Sequence, residues 1–232
     1  TRSEAAGAEA TFELVNRYLE TIEPAIHEHE GFINKFLGDG ILALFPDAAA
    51  GLAGARSLQR AVVDLNQQLE KEGQEPIRVG VGLHVGTVML GTVGGKKQLD
   101  TSVIADAVNT ASRVESLTKR YGVDILATTT ALEEAGSTDG SRELDRVVVV
   151  GRQEPITVHE VYWQETDHAE RDRAYADALK AYRQGQLEEA LVIFQALAES
   201  DPTARRMASE TEKLIERGLP SSWSGVVRLD EK

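Results

Sequence analysis

Residues 31–45 of the chain, GFINKFLGDGILALF, place two short apolar runs on either side of a Gly-Asp-Gly sequence. Apolar, β-prone runs around a glycine-containing turn predict a β-hairpin, with Asp39 at its tightest point. A carboxylate between residues with little side-chain bulk can meet a hydrated Mg²⁺ that carries phosphates. Lys35 lies four residues earlier, so a long cation can reach a ligand from the same hairpin. An ordinary Asp-Gly turn with a surface lysine fits the stretch equally well, and only the rest of the chain can decide.

The overall charge limits the partners of the chain. Its 232 residues are enough for one sizeable domain plus an appendage, and their formal net charge is −13. This charge argues against binding to nucleic acid or to an anionic membrane. It also means that a nucleotide site would need local cations or metal ions.

Cysteine usage and hydropathy point to a compartment. The chain contains no cysteine, which excludes disulfides, thiolate metal sites and cysteine nucleophiles. No apolar run approaches the roughly 18 residues of a membrane span, and the N-terminus lacks the pattern of a signal peptide. We therefore expect no membrane contact and a cytoplasmic location. The chain does not begin with methionine, so it also fits the cytosolic domain of a larger sensor protein.

Periodicity along the first two thirds of the chain predicts helices packed on a mostly antiparallel sheet, an α+β fold. The glycines of residues 77–86 leave room there for another backbone or for a ligand. The predicted elements are a helix over 10–29, strands near 32–37 and 41–45, a helix opened by Pro46-Asp47, a strand over 77–86, a turn region over 91–101, a helix over 106–121 stopped by Gly122, a strand near 123–128, a short helix near 129–135, and strands near 143–150 and 156–163.

From about residue 164 the composition becomes polar, alanine-rich and helical. The spacing through Ala178–Pro202 resembles part of a single tetratricopeptide-type helical hairpin, and one copy cannot form a solenoid. We therefore predict two domains, 1–163 and a helical C-terminal extension over 164–232, which packs on the first domain or on a partner. An amphipathic tail with no binding role is the alternative. The apolar segment around Trp223 is expected to dock back onto the fold.

Three polar residues share one face of the helix predicted over 106–121. Asp106, Asn109 and Arg113 stand at positions i, i+3 and i+7, and a face with an amide and a guanidinium is not typical of a core. A solvated helix stripe explains the same spacing. The functional alternative is phosphoryl transfer, in which an arginine offers a fixed fork of donors to charge on phosphate oxygens.

Taken together, three blocks of the sequence resemble the catalytic domain of the class III adenylate and guanylate cyclases. They are Gly31–Phe45, Val79–Gly95 (VGVGLHVGTVMLGTVGG) and Leu99–Leu117 (LDTSVIADAVNTASRVESL), and they occur in the family's order. The resemblance covers roughly Thr1 to Trp163. It implies a ferredoxin-like βαββαβ-type domain with helices on the sheet.

The resemblance implies which residues read the base. Lys35 matches the lysine that hydrogen-bonds to adenine, and Ser102 occupies the second base-recognition position. Serine or threonine at that position is typical of a bacterial, bicarbonate-responsive subgroup, whereas many members have aspartate. Lysine paired with a hydroxyl favours adenine over guanine. Ser102 therefore also suggests a weaker hypothesis, a response to bicarbonate.

Four further residues acquire roles from the resemblance. Asp39 matches the second of two metal-binding aspartates, Asn109 the residue that orients the ribose, and Arg113 the arginine that stabilises the transition state. Arg152 aligns loosely with a triphosphate contact. The implied enzyme is an adenylate cyclase, which converts ATP to 3′,5′-cyclic AMP and pyrophosphate with two Mg²⁺ or Mn²⁺ per site. In this family the metal aspartates come from one subunit and the other site residues from its partner, so a homodimer with shared sites is implied.

One departure from the family pattern concerns the metal site. The family's first metal aspartate lies upstream of an element that Thr1–Glu4 resembles, so we expect that aspartate just before Thr1. The alternative is a catalytically silent cyclase-like module that binds nucleotide or dimerises in signalling. A pure scaffold that uses the helical tail is the weakest hypothesis, because it gives no reason for Lys35, Asp39, Asn109 and Arg113 together.

Overall fold

The computed structural model describes residues 7–95, 98–104, 106–149, 153–220 and 222–228, with the backbone alone for residues 8, 9, 92–95, 98–104 and 228. The chain forms two compact units. The first lies within residues 1–79, 85–109 and 134–136, and the second within 80–84, 110–133 and 137–232. The elements are α1 (Ala8–His27), β1 (Phe32–Leu37), β2 (Gly40–Leu44), α2 (Ala48–Lys71), β3 (Val81–Leu83), β4 (Met89–Gly95), β5 (Gln98–Ile104), α3 (Asp106–Tyr121), β6 (Ile125–Thr128), α4 (Thr129–Glu134), β7 (Ser141–Val148), β8 (Ile156–Val161), α5 (Ala169–Arg183), α6 (Leu187–Leu197), α7 (Pro202–Arg217) and β9 (Val227–Arg228).

The first unit consists of two antiparallel hairpins, β1-β2 and β4-β5, and two packed helices, α1 and α2. Asp47 caps α2 by accepting a hydrogen bond from the Ala50 amide at 2.8 Å, as its position before an alanine-rich helix predicts. The ring of Phe45 lies directly against Gly31 and Gly54, where a Cβ would come within 2.5 and 2.6 Å of it. The two glycines therefore seat this aromatic ring at the end of the hairpin.

The second unit contains a five-stranded sheet in the order β3-β6-β8-β7-β9. The pairings β3-β6 and β7-β9 are parallel, whereas β6-β8 and β7-β8 are antiparallel. The sheet is therefore mixed, not mostly antiparallel as the sequence suggested. A helical crossover explains the first parallel pair, because α3 lies between β3 and β6 in the chain and parallel neighbours need such a connection.

Helices α5–α7 share a hydrophobic core with this sheet. One cluster of buried side chains joins α3, the sheet and the three helices, with members such as Val114, Leu144, Tyr175, Phe194 and Met207. Each of these five is at most 2% exposed. The helical character of residues 169–217 agrees with the prediction, while the tetratricopeptide likeness and a boundary at 163/164 stay predictions.

A buried ion-pair network fastens the start of α7 to the sheet. Arg142 on β7 donates to Glu160 on β8 at 2.7 Å and to both carboxylate oxygens of Asp201, at 3.0 Å for Oδ1. Its guanidinium also lies 4.8 Å from the centre of the Tyr175 ring. Burial opposes ionisation of Asp201, but the hydrogen bonds from Arg142 outweigh it and hold the pKa of that carboxyl below its usual value.

The C-terminal segment packs back onto the second unit, as the sequence predicted for Trp223. The indole Nε1 donates to the Tyr182 carbonyl at 3.1 Å, and the two rings meet edge to face with centroids 5.2 Å apart. The chain then adds β9 to the edge of β7, with Val227 opposite Val147.

Two predicted segments differ in the structure. Residues 77–86 were predicted as one strand, but β3 covers only Val81–Leu83. Residues 91–101 were predicted as a turn region, but the described ones, 91–95 and 98–101, lie on the paired strands β4 and β5, with Gly91 opposite Ser102. In both cases the strand bounds follow from partners elsewhere in the chain, and propensity alone does not reveal those partners.

The glycines of residues 77–86 make room for a helix backbone, one of the two alternatives that the sequence left open. A Cβ on Gly82 would come within 2.5 Å of the Ala111 carbonyl oxygen and 2.7 Å of the Glu115 Cα. A Cβ on Gly80 would clash with the Thr118 hydroxyl and would lie 3.2 Å from the Thr118 Cβ. Strand β3 and helix α3 thus touch backbone to backbone, which fixes the height of α3 on the sheet.

Gly82→Ala should therefore destabilise the second unit. We expect a loss of about 1–3 kcal/mol in the free energy of unfolding, because the new methyl group must displace helix backbone rather than a flexible side chain. Urea denaturation followed by circular dichroism measures it. Gly91→Ala is the control, since no atom of the described part of the chain lies within 4 Å of its Cβ position, and it should stay within about 0.5 kcal/mol of the parent. Equal effects of the two substitutions would contradict the backbone contact.

A buried carboxyl makes the stability of this unit depend on pH in an unusual direction. Asp145 accepts hydrogen bonds from the Tyr121 hydroxyl and from the Arg146 amide, both at 2.7 Å. Burial raises the pKa of Asp145 from 3.8 to about 6 despite these bonds. Between these two values the folded state binds a proton that the unfolded state has lost. The contribution of this group to stability therefore falls as pH rises from about 4 to about 6.

Asp145→Asn tests this direction. The free energy of unfolding of the parent minus that of the variant should decrease between pH 4.5 and pH 7, by on the order of 1–3 kcal/mol. Urea denaturation across this range gives the difference, and Asp177→Asn, an exposed position on α5, controls for the loss of one carboxylate. A difference that is constant with pH would show that Asp145 ionises equally in both states.

Candidate functional site

The Gly-Asp-Gly sequence forms the tip of the β1-β2 hairpin, as predicted. Leu37 pairs with Gly40, which leaves Gly38 and Asp39 as a two-residue loop. Gly38 has φ of 68°, a conformation that such tight hairpin turns require and that glycine adopts without strain. The side chain of Asp39 is exposed at the tip. The tight turn therefore exposes the carboxylate of Asp39 to solvent at the end of two short, hydrogen-bonded strands.

Lys35 lies on the same hairpin, next to a β-bulge. The register shifts between Ile33 and Lys35, so Asn34 is the extra residue of β1. Bulges of this kind redirect the side chains that follow them. After the bulge Lys35 stands opposite Leu42 and shares its face of the hairpin with Leu37. The side chain of Lys35 is exposed.

The two predicted base-reading positions lie on neighbouring strands of the first unit. Ser102 belongs to β5, where it pairs with Gly91, and the backbone of β5 passes close to β1. The side chain of Ser102 lies outside the described atoms, and Arg152 lies outside the described residues. Their roles stay predictions, and the structure adds only that the strands of Lys35 and Ser102 are near each other.

Helix α3 has the predicted bounds and presents the predicted polar stripe away from the core. Its buried residues are Thr110, Val114, Leu117, Thr118 and Tyr121. On the other side Asp106 and Asn109 are exposed, and Arg113, one turn after Asn109, is half-buried. The bounds of this helix follow from Gly122, which has φ of 74° and donates its amide to the Thr118 carbonyl at 2.9 Å.

The side chains of three predicted site residues form no hydrogen bond or ion pair with the described part of the chain. Within it, no side-chain hydrogen bond or ion pair involves Asp39, Asn109 or Arg113. Protein polar groups that are held in place but left unpaired are available to a ligand. Arg113 and Asp39 belong to different compact units of the chain.

The donor set fits only part of a divalent-metal site. Among the described residues, no three histidine, aspartate or glutamate side chains come together as metal ligands. Asp39 supplies one hard oxygen donor, which suits Mg²⁺ or Mn²⁺, but two metal ions need further carboxylates. Among the described residues, Asp39 is therefore a candidate for one ligand of such a site.

Membrane insertion finds no support in the helices. Within the described ranges, none of them is both long and apolar enough to cross a bilayer.

Known proteins resemble this chain in sequence and in fold. The profile of the adenylate and guanylate cyclase catalytic domain matches residues 2–163. An adenylate cyclase from Anabaena cylindrica is 41% identical over 168 residues, which cover 68% of this chain and 34% of that protein. The chain spans about a third or less of the length of the first curated relatives that it matches.

Two solved structures share the fold of this chain, with sequence identities of 30% and 25%. The guanylyl cyclase Cya2 is 30% identical with a TM-score of 0.60, and the match covers 68% of this chain and 83% of that one. A bacterial light-regulated adenylyl cyclase is 25% identical with a TM-score of 0.58, covering 74% of this chain and 50% of that one. Since the family profile spans well over half of its residues, this chain belongs to the adenylate and guanylate cyclase catalytic domain family.

Proposed function

We propose that the chain is the catalytic domain of an adenylate cyclase, which converts ATP to 3′,5′-cyclic AMP and pyrophosphate. The observation that carries this proposal is the 41% identity to the Anabaena adenylate cyclase. The 30% identity to a guanylyl cyclase shows that the same fold also serves the other purine. The choice of adenine therefore rests on particular residues.

Lys35 and Ser102 are the residues that we assign to base recognition. A lysine ammonium offers only donors, so it suits the acceptor nitrogens of the adenine ring. A serine hydroxyl can accept from the adenine amino group. The closeness of the strands that carry them, β1 and β5, supports a shared role on one chain.

Arg113 and Asn109 are the residues that we assign to the reaction itself. The ribose 3′-hydroxyl attacks the α-phosphorus of ATP, a new O–P bond forms, and the bond to pyrophosphate breaks. A guanidinium beside the phosphoryl oxygens stabilises the charge that builds up there, and Asn109 orients the ribose. Arg152 is proposed as a triphosphate contact on sequence grounds alone.

Two Mg²⁺ or Mn²⁺ ions per site are proposed as cofactors, with Asp39 as one of their ligands. When bound, such ions activate the attacking hydroxyl and neutralise the leaving charge.

A homodimer with shared sites is the proposed assembly. Large apolar side chains on the two hairpins of the first unit are exposed, among them Phe36 (58%) and Leu37 (50%) on β1 and Met89 (73%) and Leu90 (54%) on β4. Contiguous apolar patches that are exposed on a protein surface mark interaction sites. In the proposed dimer, Asp39 of one chain and Arg113 of the other contribute to a shared site, as the family pattern implies.

A catalytically silent, nucleotide-binding or dimerising module is the second candidate. The observation that favours it is that, among the described residues, no three histidine, aspartate or glutamate side chains come together as metal ligands. A response to bicarbonate rests on the identity of Ser102 alone and stays a prediction, as does a cytoplasmic location.

Lys35→Ala should weaken the preference for ATP. With native upstream sequence and Mn²⁺ or Mg²⁺, the parent should release cyclic AMP from ATP faster than cyclic GMP from GTP. The variant should lose about tenfold or more in kcat/KM for ATP, because a base-directed charged hydrogen bond is removed. Lys71→Ala, an exposed lysine at the end of α2, is the matched control. No product from the parent with either metal would remove the enzyme hypothesis and favour the silent module.

Mixing two inactive variants tests the shared site. Arg113→Ala alone should lower kcat by about a hundred- to a thousandfold, and Asp39→Ala should lower it comparably. After subunit exchange at equal concentrations, half of the dimers are hybrids with one intact site. The mixture should therefore recover about a quarter of the parent activity. Native mass spectrometry verifies that hybrids form, and hybrids without recovered activity would contradict the shared site.

A further inference from the structure

The C-terminal end of α3 meets the N-terminal end of α7, and α7 lies beyond the residues 2–163 that the family profile covers. The carbonyl of Tyr121 is among the last of α3, and such carbonyls have no partner within their own helix. It accepts a hydrogen bond from the Thr203 hydroxyl at 2.9 Å. Thr203 is fully buried at the second position of α7.

The two helix ends also fit sterically and electrostatically. Pro202, the first residue of α7, packs on Gly122, where a Cβ would come within 2.9 Å of the proline Cβ. The guanidinium of Arg206 lies 6.0 Å from the centre of the Tyr121 ring. The positive end of the α7 dipole thus faces the negative end of α3, which stabilises the end-to-end arrangement.

The start of α7 is itself held to the sheet. Asp201 caps the helix by accepting from the amides of Thr203 at 2.9 Å and Ala204 at 3.3 Å. The same carboxylate binds Arg142 on β7 through both of its oxygens. A buried capping residue with four donors leaves α7 little freedom to shift.

From these contacts we infer that Thr203 is a positioning residue for the cyclase reaction, acting through Tyr121 to set where α3 holds Arg113. Arg113 precedes Tyr121 by eight residues on one uninterrupted helix, about 12 Å along its axis. A helix transmits an axial shift with little loss, so a displacement at Tyr121 moves the guanidinium equally. The C-terminal extension thereby acquires a role in catalysis without contacting substrate. The catalytic part of this inference rests on the proposed function.

Thr203→Val removes the hydroxyl at nearly constant volume. The matched control is Thr211→Val in the same helix, because Thr211 is equally buried and its hydroxyl donates to the Met207 carbonyl within α7, at 2.6 Å. Both variants lose one buried hydroxyl-to-carbonyl bond, but only the first loses a bond to α3. Thr203→Ser keeps the hydroxyl and should behave as the parent. Thr203→Ala, which adds no methyl group, replaces the valine variant if that protein does not fold.

The first measurement needs no activity. Hydrogen exchange of the α3 peptide over residues 110–121 should be about fivefold or more faster in Thr203→Val, and within about twofold of the parent in Thr211→Val and Thr203→Ser. The same exchange rate in both valine variants would overturn the inference. A chain without cyclase activity would end the proposed function, and this measurement would still decide whether α7 holds α3.

The second measurement separates positioning from a merely structural role. Thr203→Val should lower kcat by about tenfold with KM for ATP within about twofold of the parent, since sub-ångström displacement of a transition-state group costs rate rather than ground-state binding. Thr211→Val and Thr203→Ser should retain the parent kcat at the same temperature. An unchanged kcat in Thr203→Val, or an equal loss in Thr211→Val, would overturn the assignment.

Discussion

The buried guanidinium of Arg142 connects the sheet of the second unit to helices α5 and α7. Its side chain is 5% exposed, and that of Asp201 is 1% exposed. A cation in such a place is tolerated only while its partners stay, and removing one partner typically costs about 3–5 kcal/mol. The partners come from β8, α5 and α7: Glu160, Tyr175 and Asp201. The helices that follow residue 164 therefore cannot separate from the sheet without leaving a buried charge unpaired, so the sheet and these helices are expected to unfold together.

The polar groups described for the two units differ in their burial and in their hydrogen-bond partners. In the second unit several buried ones are engaged with each other, as in the pairs Arg142–Asp201 and Tyr121–Asp145. In the first unit the hairpin tips present exposed groups such as Asp39. Satisfied buried networks give rigidity, while exposed, unengaged groups are the ones that can meet a ligand or a second chain. The molecule thus separates the residues that maintain its shape from many of those that the family resemblance assigns to chemistry.

Local signals explain which features were predictable from sequence. Helix α3 has its predicted bounds because Gly122 ends it through a local backbone conformation, and Gly38 likewise defines the hairpin tip. The short β3 was missed because its bounds depend on β6, a pairing partner distant in sequence. The β4-β5 hairpin was missed because its glycine-containing segment has the composition of a turn, although its partners are close in sequence. The candidate site was predicted from motif resemblance. The motifs include Asp39 and Arg113, but they do not extend to residue 203. The sequence Asp-Pro-Thr at 201–203 could have indicated the start of α7, because it is typical of a helix N-terminus. It could not have indicated the contact with α3, because Thr203 and its partner Tyr121 are 82 residues apart.

The pairing of β9 with β7 has a consequence for the order in which the protein is made. Strand β7 is synthesised near the middle of this unit, yet its edge partner Val227 follows it much later in the chain. Roughly 80 residues separate the two strands, which at about 5–20 residues per second corresponds to on the order of ten seconds of translation. During that interval the nascent chain carries an unpaired strand edge and an apolar sheet face that α5–α7 later cover. After β7 emerges, the growing polypeptide therefore exposes a strand edge that can pair with another chain until β9 is made.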